Sequence, residues 1–312
     1  MNVKDLYTED AMQASLAFMV SQASHIETAV NEALYPEIQY PGLIPVDTSA
    51  HPFAKTVTYY SSDKFGQAEW LNGNSDDIPV AGTKRQQHQT SIHMAGVGYT
   101  FGFEEVGQAT MLGYNLQSDD AMAARRASEE MIDDVALFGA PEKGFNGLVN
   151  HPDVTVANVA NGNWANANEY DIIADINRSL LGIGTDTNYV IMADTLLMDY
   201  TKYNLLATRA FGNDGTITIM EFVKKFNTYT AQTGQPLTIR AVRGLDNVGV
   251  AGTSRLIAYK RSPDVMKFHM TMPHRFLPVH RDGVLNYVVP GVFRIGGLDI
   301  RRPQAVRYED GI

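Results

Sequence analysis

The sequence predicts an α+β fold, and three observations carry the prediction. Residues 104–138 hold a long one-sided helical pattern, with Ala109, Leu112, Leu116, Ala123, Ala127, Met131, Val135 and Phe138 recurring close to the α-helical period. Upstream of it, two runs alternate as strands do, Phe53, Lys55, Val57 and Tyr59 in one and Val97, Tyr99, Phe101 and Phe103 in the other. Downstream, from about residue 167, short helical and strand patterns follow one another.

At the N-terminus, Met12, Leu16, Met19, Ala23, Ile26, Val30 and Ala33 step alternately by four and three, the coiled-coil period. Such a seam requires a helical neighbour, either in its own domain or in another copy of the chain, and Leu16 and Ile26 lie along it. Tyr35-Pro36, Tyr40-Pro41-Gly42 and Pro45 then impose an extended path, because proline removes a donor and restricts the residue before it.

The two strand runs read as legs of one excursion, joined by residues 61–86. That connection is polar, exceeds ordinary hairpin loops, and carries Gly66, Gly73, Gly82, Trp70, Asp76-Asp77 and Lys84-Arg85. It has too little apolar content to form a core, so its energy must come from a neighbour. Trp70 is expected to anchor that contact, with Asp76, Asp77, Lys84 and Arg85 contributing less, since exposed ion pairs are weak.

A helix over residues 104–138 would reach roughly 50 Å at about 1.5 Å per residue. Gly113, or a cap at Ser118-Asp119-Asp120, could divide it into two collinear pieces. The turn Gly144-Phe145-Asn146-Gly147-Leu148-Val149-Asn150-His151-Pro152 follows. Here Phe145 and Leu148 are expected to anchor the helix, and Gly147 to permit a backbone arrangement that a side chain would block. Beyond it, the pattern predicts helices at 170–181, 195–206 and 219–230, a short buried strand at 189–192, and strands at 237–242 and 255–259. Residues 244–252, rich in glycine around Asp246 and Asn247, form either a functional or an ordinary surface loop.

This order resembles the major capsid proteins of tailed phages, the Hong Kong 97-like capsid fold. The C-terminal runs Ser262-Pro263-Asp264-Val265, Met272-Pro273-His274-Arg275-Phe276-Leu277-Pro278 and Val289-Pro290-Gly291-Val292-Phe293 through Arg301-Arg302-Pro303 resemble the closing sheet of one branch of that family. The resemblance implies an N-terminal arm (1–52), an extended two-stranded loop (53–103), a spine helix and start of a peripheral domain (104–166), an axial domain (167–262) and C-terminal strands of the peripheral domain (263–312). It further implies hexamers and pentamers assembled into an icosahedral shell around double-stranded phage DNA, with scaffold, portal and decoration proteins as possible partners. Some relatives form Lys-to-Asn isopeptide crosslinks; Lys64 and Lys84 lie in the extended loop, but no partner Asn or catalytic acid can be matched. Within the same fold, an encapsulin-like compartment around a cargo enzyme is the alternative.

Composition agrees with a shell protein. The chain has 312 residues, 44% hydrophobic and 19% charged, enough for one large core or two smaller ones. No apolar run suits a membrane span and the N-terminus lacks signal-peptide features, so assembly in the host bacterial cytoplasm is expected. Zero cysteines exclude disulfides and thiolate metal sites. A formal charge of −10 and a pI near 5.2 oppose tight nucleic-acid binding, so packaged DNA would be contacted weakly and without sequence preference.

Signals for catalysis, cofactors or metals are weak. His88 and His93 are five apart, and His269, His274 and His280 have no metal-ligand spacing. Gly182-Ile183-Gly184 and Gly96-Val97-Gly98 lack the remaining glycines of a phosphate loop, and no Gly-x-Ser-x-Gly elbow is present. The alternative from another class is a hydrolase gathering one of the C-terminal histidines with Asp264, Asp282 or Asp299.

Overall fold

The computed structural model describes residues 35–70, 78–102, 104–105, 116–160, 162–212, 215–283 and 285–312. The chain divides into two compact units, Met1–Glu37 and Ile38–Ile312, and the second holds the fold described below. Its elements begin with α1 (Tyr40–Leu43), β1 (Val46–Asp47), β2 (Thr56–Phe65), β3 (Gly82–Ser91), β4 (His93–Gly96), β5 (Tyr99–Gly102) and α2 (Leu116–Phe138). There follow β6 (Thr155–Asn158), α3 (Glu169–Asp186), β7 (Thr195–Met198), α4 (Tyr200–Thr208), α5 (Ile219–Lys225), α6 (Thr228–Thr233), β8 (Thr238–Ala241) and β9 (Arg255–Tyr259). The C-terminal strands are β10 (Met266–Phe276), β11 (His280–Asp282), β12 (Asn286–Val289), β13 (Gly291–Ile300) and β14 (Val306–Asp310).

A five-stranded sheet of order β8-β7-β9-β14-β6 stands between two hydrophobic cores. Alternate residues along its strands feed opposite faces. Leu197, Ile257, Tyr259, Val306 and Tyr308 join one core with the α2 side chains Ile132, Val135 and Leu137. Leu196, Met198, Leu256 and Ala258 join the other with Ile172, Ile176 and Leu180 of α3. Burial on both faces explains why β7 and β9 read as unbroken apolar runs rather than alternating ones. A four-stranded sheet, β1-β10-β13-β4, contributes Phe268, Phe293 and Ile295 to the first core. A third, three-stranded sheet has the order β11-β12-β5.

Several sequence expectations require correction. The partner of β2 is β3, in ten paired rungs from Thr56↔Ser91 to Phe65↔Gly82, and not residues 97–103. Those later residues pair elsewhere, β4 with β13 and β5 with β12. Both faces of β3 are largely solvated, so it lacks the period-2 apolar signal by which strands are found. The buried stripe of α2 is Ala124, Ser128, Ile132, Val135 and Ala136, one position on from the expected Ala123, Ala127 and Met131. Met131 is 46% exposed. Residues 106–115, with Gly113, lie outside the described residues, as does the seam containing Leu16 and Ile26.

Thr195–Met198 is a central strand rather than the start of a helix, because its position between β8 and β9 buries all four side chains and overrides the helix propensity of Leu and Met. The helix begins only after Asp199, whose carboxylate caps it by accepting the Lys202 N–H. No strand forms at 189–192. Asn188 and Tyr189 adopt positive φ, 52° and 61°, and the Thr187 hydroxyl donates to the Ile191 carbonyl to close a turn. The expected helix at 219–230 is two, divided at Phe226, with Asn227 capping the second.

Candidate assembly surfaces

The β2–β3 hairpin leaves the body as a ribbon in which most side chains face solvent on both sides. Tyr60 is 69% exposed, Phe65 52% and Trp70, beyond the last rung, fully so. Ile78 and Val80 on the return segment are similarly open. Lys84 and Arg85 sit on β3 opposite Asp63 and Ser62, and the Lys84 ammonium lies 5.8 Å from the Phe65 ring centroid. Asp76 and Asp77 lie outside the described residues. A two-stranded ribbon of this kind is marginal in water by itself.

Among the described residues, the root of the hairpin is tied to the body. Tyr59 stacks on His88 across the ladder at 4.8 Å, and the Arg301 guanidinium lies 4.5 Å from the Tyr59 ring centre. Arg301 also donates to Asp299 at 3.2 Å, and His269 Nε2 lies 3.4 Å from the same carboxylate. Although burial opposes its ionisation, the hydrogen bonds from His269 and Arg301 hold the Asp299 carboxyl below its ordinary pKa. Burial, with the Asp299 charge nearby, pushes the Tyr59 phenol up. A polar cleft of about 570 Å³ opens beside these groups, and His151 lines it; burial lowers the pKa of that imidazole. Sequence reasoning did not find this cluster, because Tyr59 and Arg301 are brought together only by tertiary structure.

The other end of α2 is fixed by the glycine-rich turn. Gly139, at φ +80°, ends the helix in the left-handed region. The orphan carbonyls before it are then satisfied by the returning chain: Leu148 N–H donates to Ala136 O and Val149 N–H to Leu137 O, both at 3.0 Å, while the Asn150 amide donates to Phe138 O at 2.8 Å. Gly147 lies so close to the Leu137 carbonyl that a Cβ would collide with backbone, although its own φ is not positive. Phe145 is 6% exposed and packs edge-on to His93 at 5.4 Å and against Gly297.

The C-terminal histidines do not converge. His269 meets Asp299 but is buried, His274 contacts the Val97 carbonyl, and His280 is exposed on β11. Asp264 and Asp282 are exposed and separate from that pair. The described residues contain no group of three or more acidic or histidine ligands suited to a metal. Among them, no helix is long and apolar enough to cross a membrane. The loop at 244–252 is tied down, with Leu245 buried, Gly244 against the Phe138 ring and the Val250 N–H donating to Asp310.

A family model described as major capsid protein matches residues 66–312. The chain belongs to that family. No curated protein matches the sequence significantly. Among solved structures, the capsid of Myoviridae phage XM1 is similar at a TM-score of 0.79 and 18% identity, covering 94% of this chain and 98% of that one. A structure from Mycobacterium phage Bobi matches at 0.62 and 15% identity, over 96% and 97% of the two chains. The capsid of an empty GTA particle matches at 0.63 and 8%, over 97% and 99%. The capsid protein is thus a structural shell subunit of the virion with the Hong Kong 97-like fold, which assembles with copies of itself and is not an enzyme. The hydrolase and cargo-compartment readings are not favoured by these matches.

Proposed function

We propose that this capsid protein forms the hexamers and pentamers of an icosahedral tailed-phage shell around double-stranded DNA, with the β2–β3 hairpin and the N-terminal arm as its intersubunit contacts. The observation that carries the reading is the ribbon itself, ten rungs long with open aromatic side chains and, among the described residues, anchored at its root. In this reading Trp70, Lys84, Arg85, Asp76 and Asp77 belong to the hairpin contact, and Leu16 and Ile26 to the arm contact. Phe145 and Gly147 hold the spine helix to the peripheral domain. The five segments divide as 1–52, 53–103, 104–166, 167–262 and 263–312.

The formal charge of −10 supports weak, non-specific contact with the packaged DNA, since a wall that gripped the duplex would impede its packing and exit. Assembly takes place in the host bacterial cytoplasm, with scaffold, portal and decoration proteins as the remaining partners. Electron microscopy of the purified protein tests the reading. Closed particles with five-fold vertices are the expected result, and a preparation holding only monomers at high concentration would overturn it.

A further inference from the structure

The geometry points to an acceptor for the hairpin on a second copy of this chain: Trp70, flanked by Glu69, inserts into the cleft between the Tyr189–Val190 turn and Tyr229. This rests on the reading of the hairpin as an intersubunit contact and names the surface that receives it. The cleft has a volume of about 580 Å³, within the range of pockets that bind small ligands and ample for an indole. Met192, Tyr229 and Val265 supply apolar lining, and Arg302 and Asp264, both exposed, line it as well.

Three features mark the cleft as a place to be covered. Tyr189 is 59% exposed and Val190 78%, neighbouring apolar side chains that bury little in the isolated chain. They are presented by Asn188 and Tyr189 in the left-handed region, a conformation that bulky L residues avoid and that concentrates at functional surfaces. The nearby Lys260 is already paired with Asp194 at 2.8 Å, which leaves the exposed Arg302 as the cation available to an incoming group.

The hairpin offers the complement. Trp70 is fully exposed, so its own chain does not fill the cleft, and Glu69 beside it is exposed as well. An indole buries a large apolar area, attracts a guanidinium to its face, and directs one N–H to an acceptor. The cleft provides each of these, with Arg302 for the ring face or Glu69 and the Asp264 carboxylate for the indole N–H.

The test is a charge exchange read by the fraction of protein that sediments as particles. Glu69→Arg and Arg302→Glu are each expected to lower that fraction about tenfold by placing like charges together, and the double variant to restore it. Both positions are exposed, so folding should be unaffected, which circular dichroism of each protomer checks. Single effects without rescue, or no single effects while Trp70→Ala still disrupts assembly, would overturn this acceptor and leave the intersubunit role of the hairpin standing. Normal assembly by Trp70→Ala would overturn the insertion itself.

Discussion

Asp133 of the spine helix accepts the backbone N–H of Tyr40 at 2.7 Å from a position with no solvent exposure. The same carboxylate accepts the Gln39 N–H at 2.9 Å and pairs with Arg243 at 2.8 Å. One buried charge therefore joins the incoming chain, the spine and the loop after β8. Its neighbour Asp134, by contrast, is exposed. Removing Asp133 would leave the buried Tyr40 N–H and the half-buried Gln39 N–H without their acceptor, and would leave Arg243 with Asp134, at 2.7 Å, as its remaining carboxylate. Asp133→Ala is expected to cost roughly 3–5 kcal/mol, measured by denaturant unfolding of the protomer, whereas Asp134→Ala should cost under about 1 kcal/mol.

The turn after the spine helix gives a second comparison. Phe145→Ala should destabilise by about 3–5 kcal/mol, as expected for a buried ring. Gly147→Ala should cost at least about 1–3 kcal/mol, because the obstruction is the Leu137 carbonyl rather than a movable side chain. Gly144→Ala, which meets nothing within 4 Å but sits at φ +73°, should cost only about 1–2 kcal/mol. Equal melting temperatures for all three variants would contradict this assignment of the turn.

Much of this architecture is legible in the sequence because burial writes periodicity. The helix at Glu169–Asp186 and the strand at Arg255–Tyr259 are visible for that reason, the first from its amphipathic spacing and the second from an unbroken apolar run. The hairpin leg Gly82–Ser91 is not visible, since a strand solvated on both faces carries no pattern. Thr195–Met198 is misread because its helix formers are overruled by a central place in the sheet. The root cluster of Tyr59, Asp299 and Arg301 is invisible for a third reason, as local spacing says nothing about contacts some 240 positions apart.

Acid is expected to weaken the fold at that root and at β1. Asp299 and Asp47 both have carboxyl pKa values depressed in the fold, burial opposing and hydrogen bonds outweighing it, from His269 and Arg301 for the first and from Ser49 and Lys267 for the second. A depressed carboxyl contributes stability that is present above its unfolded pKa of about 4 and is lost as pH falls through the folded value. Stability should therefore drop below about pH 4, and Asp299→Asn should flatten that part of the curve while lowering stability at pH 7. A variant with an unchanged acid limb would contradict the role of Asp299.

For the arm, Leu16→Asp or Ile26→Asp should leave a folded protomer and reduce assembly, because an unpaired charge would enter a buried apolar contact at several kcal/mol. Sedimentation measures it: unchanged particle yield would place the seam outside the subunit interface, and loss of all soluble protein would place it within the subunit's own fold.

In the proposed shell the hairpin serves a neighbour and not its own subunit. Ser61 and Gln86 face each other across the ladder, so the ribbon beyond them can be replaced by a short Gly-Ser turn without disturbing the root formed by Tyr59 and His88. Sedimentation velocity on this truncated protein is the most direct measurement, read beside its circular dichroism and thermal unfolding. The expected result is a protomer with nearly unchanged secondary structure and melting temperature that yields monomers or isolated capsomers and no closed particles. Closed particles formed by the truncated protein in normal yield would contradict it.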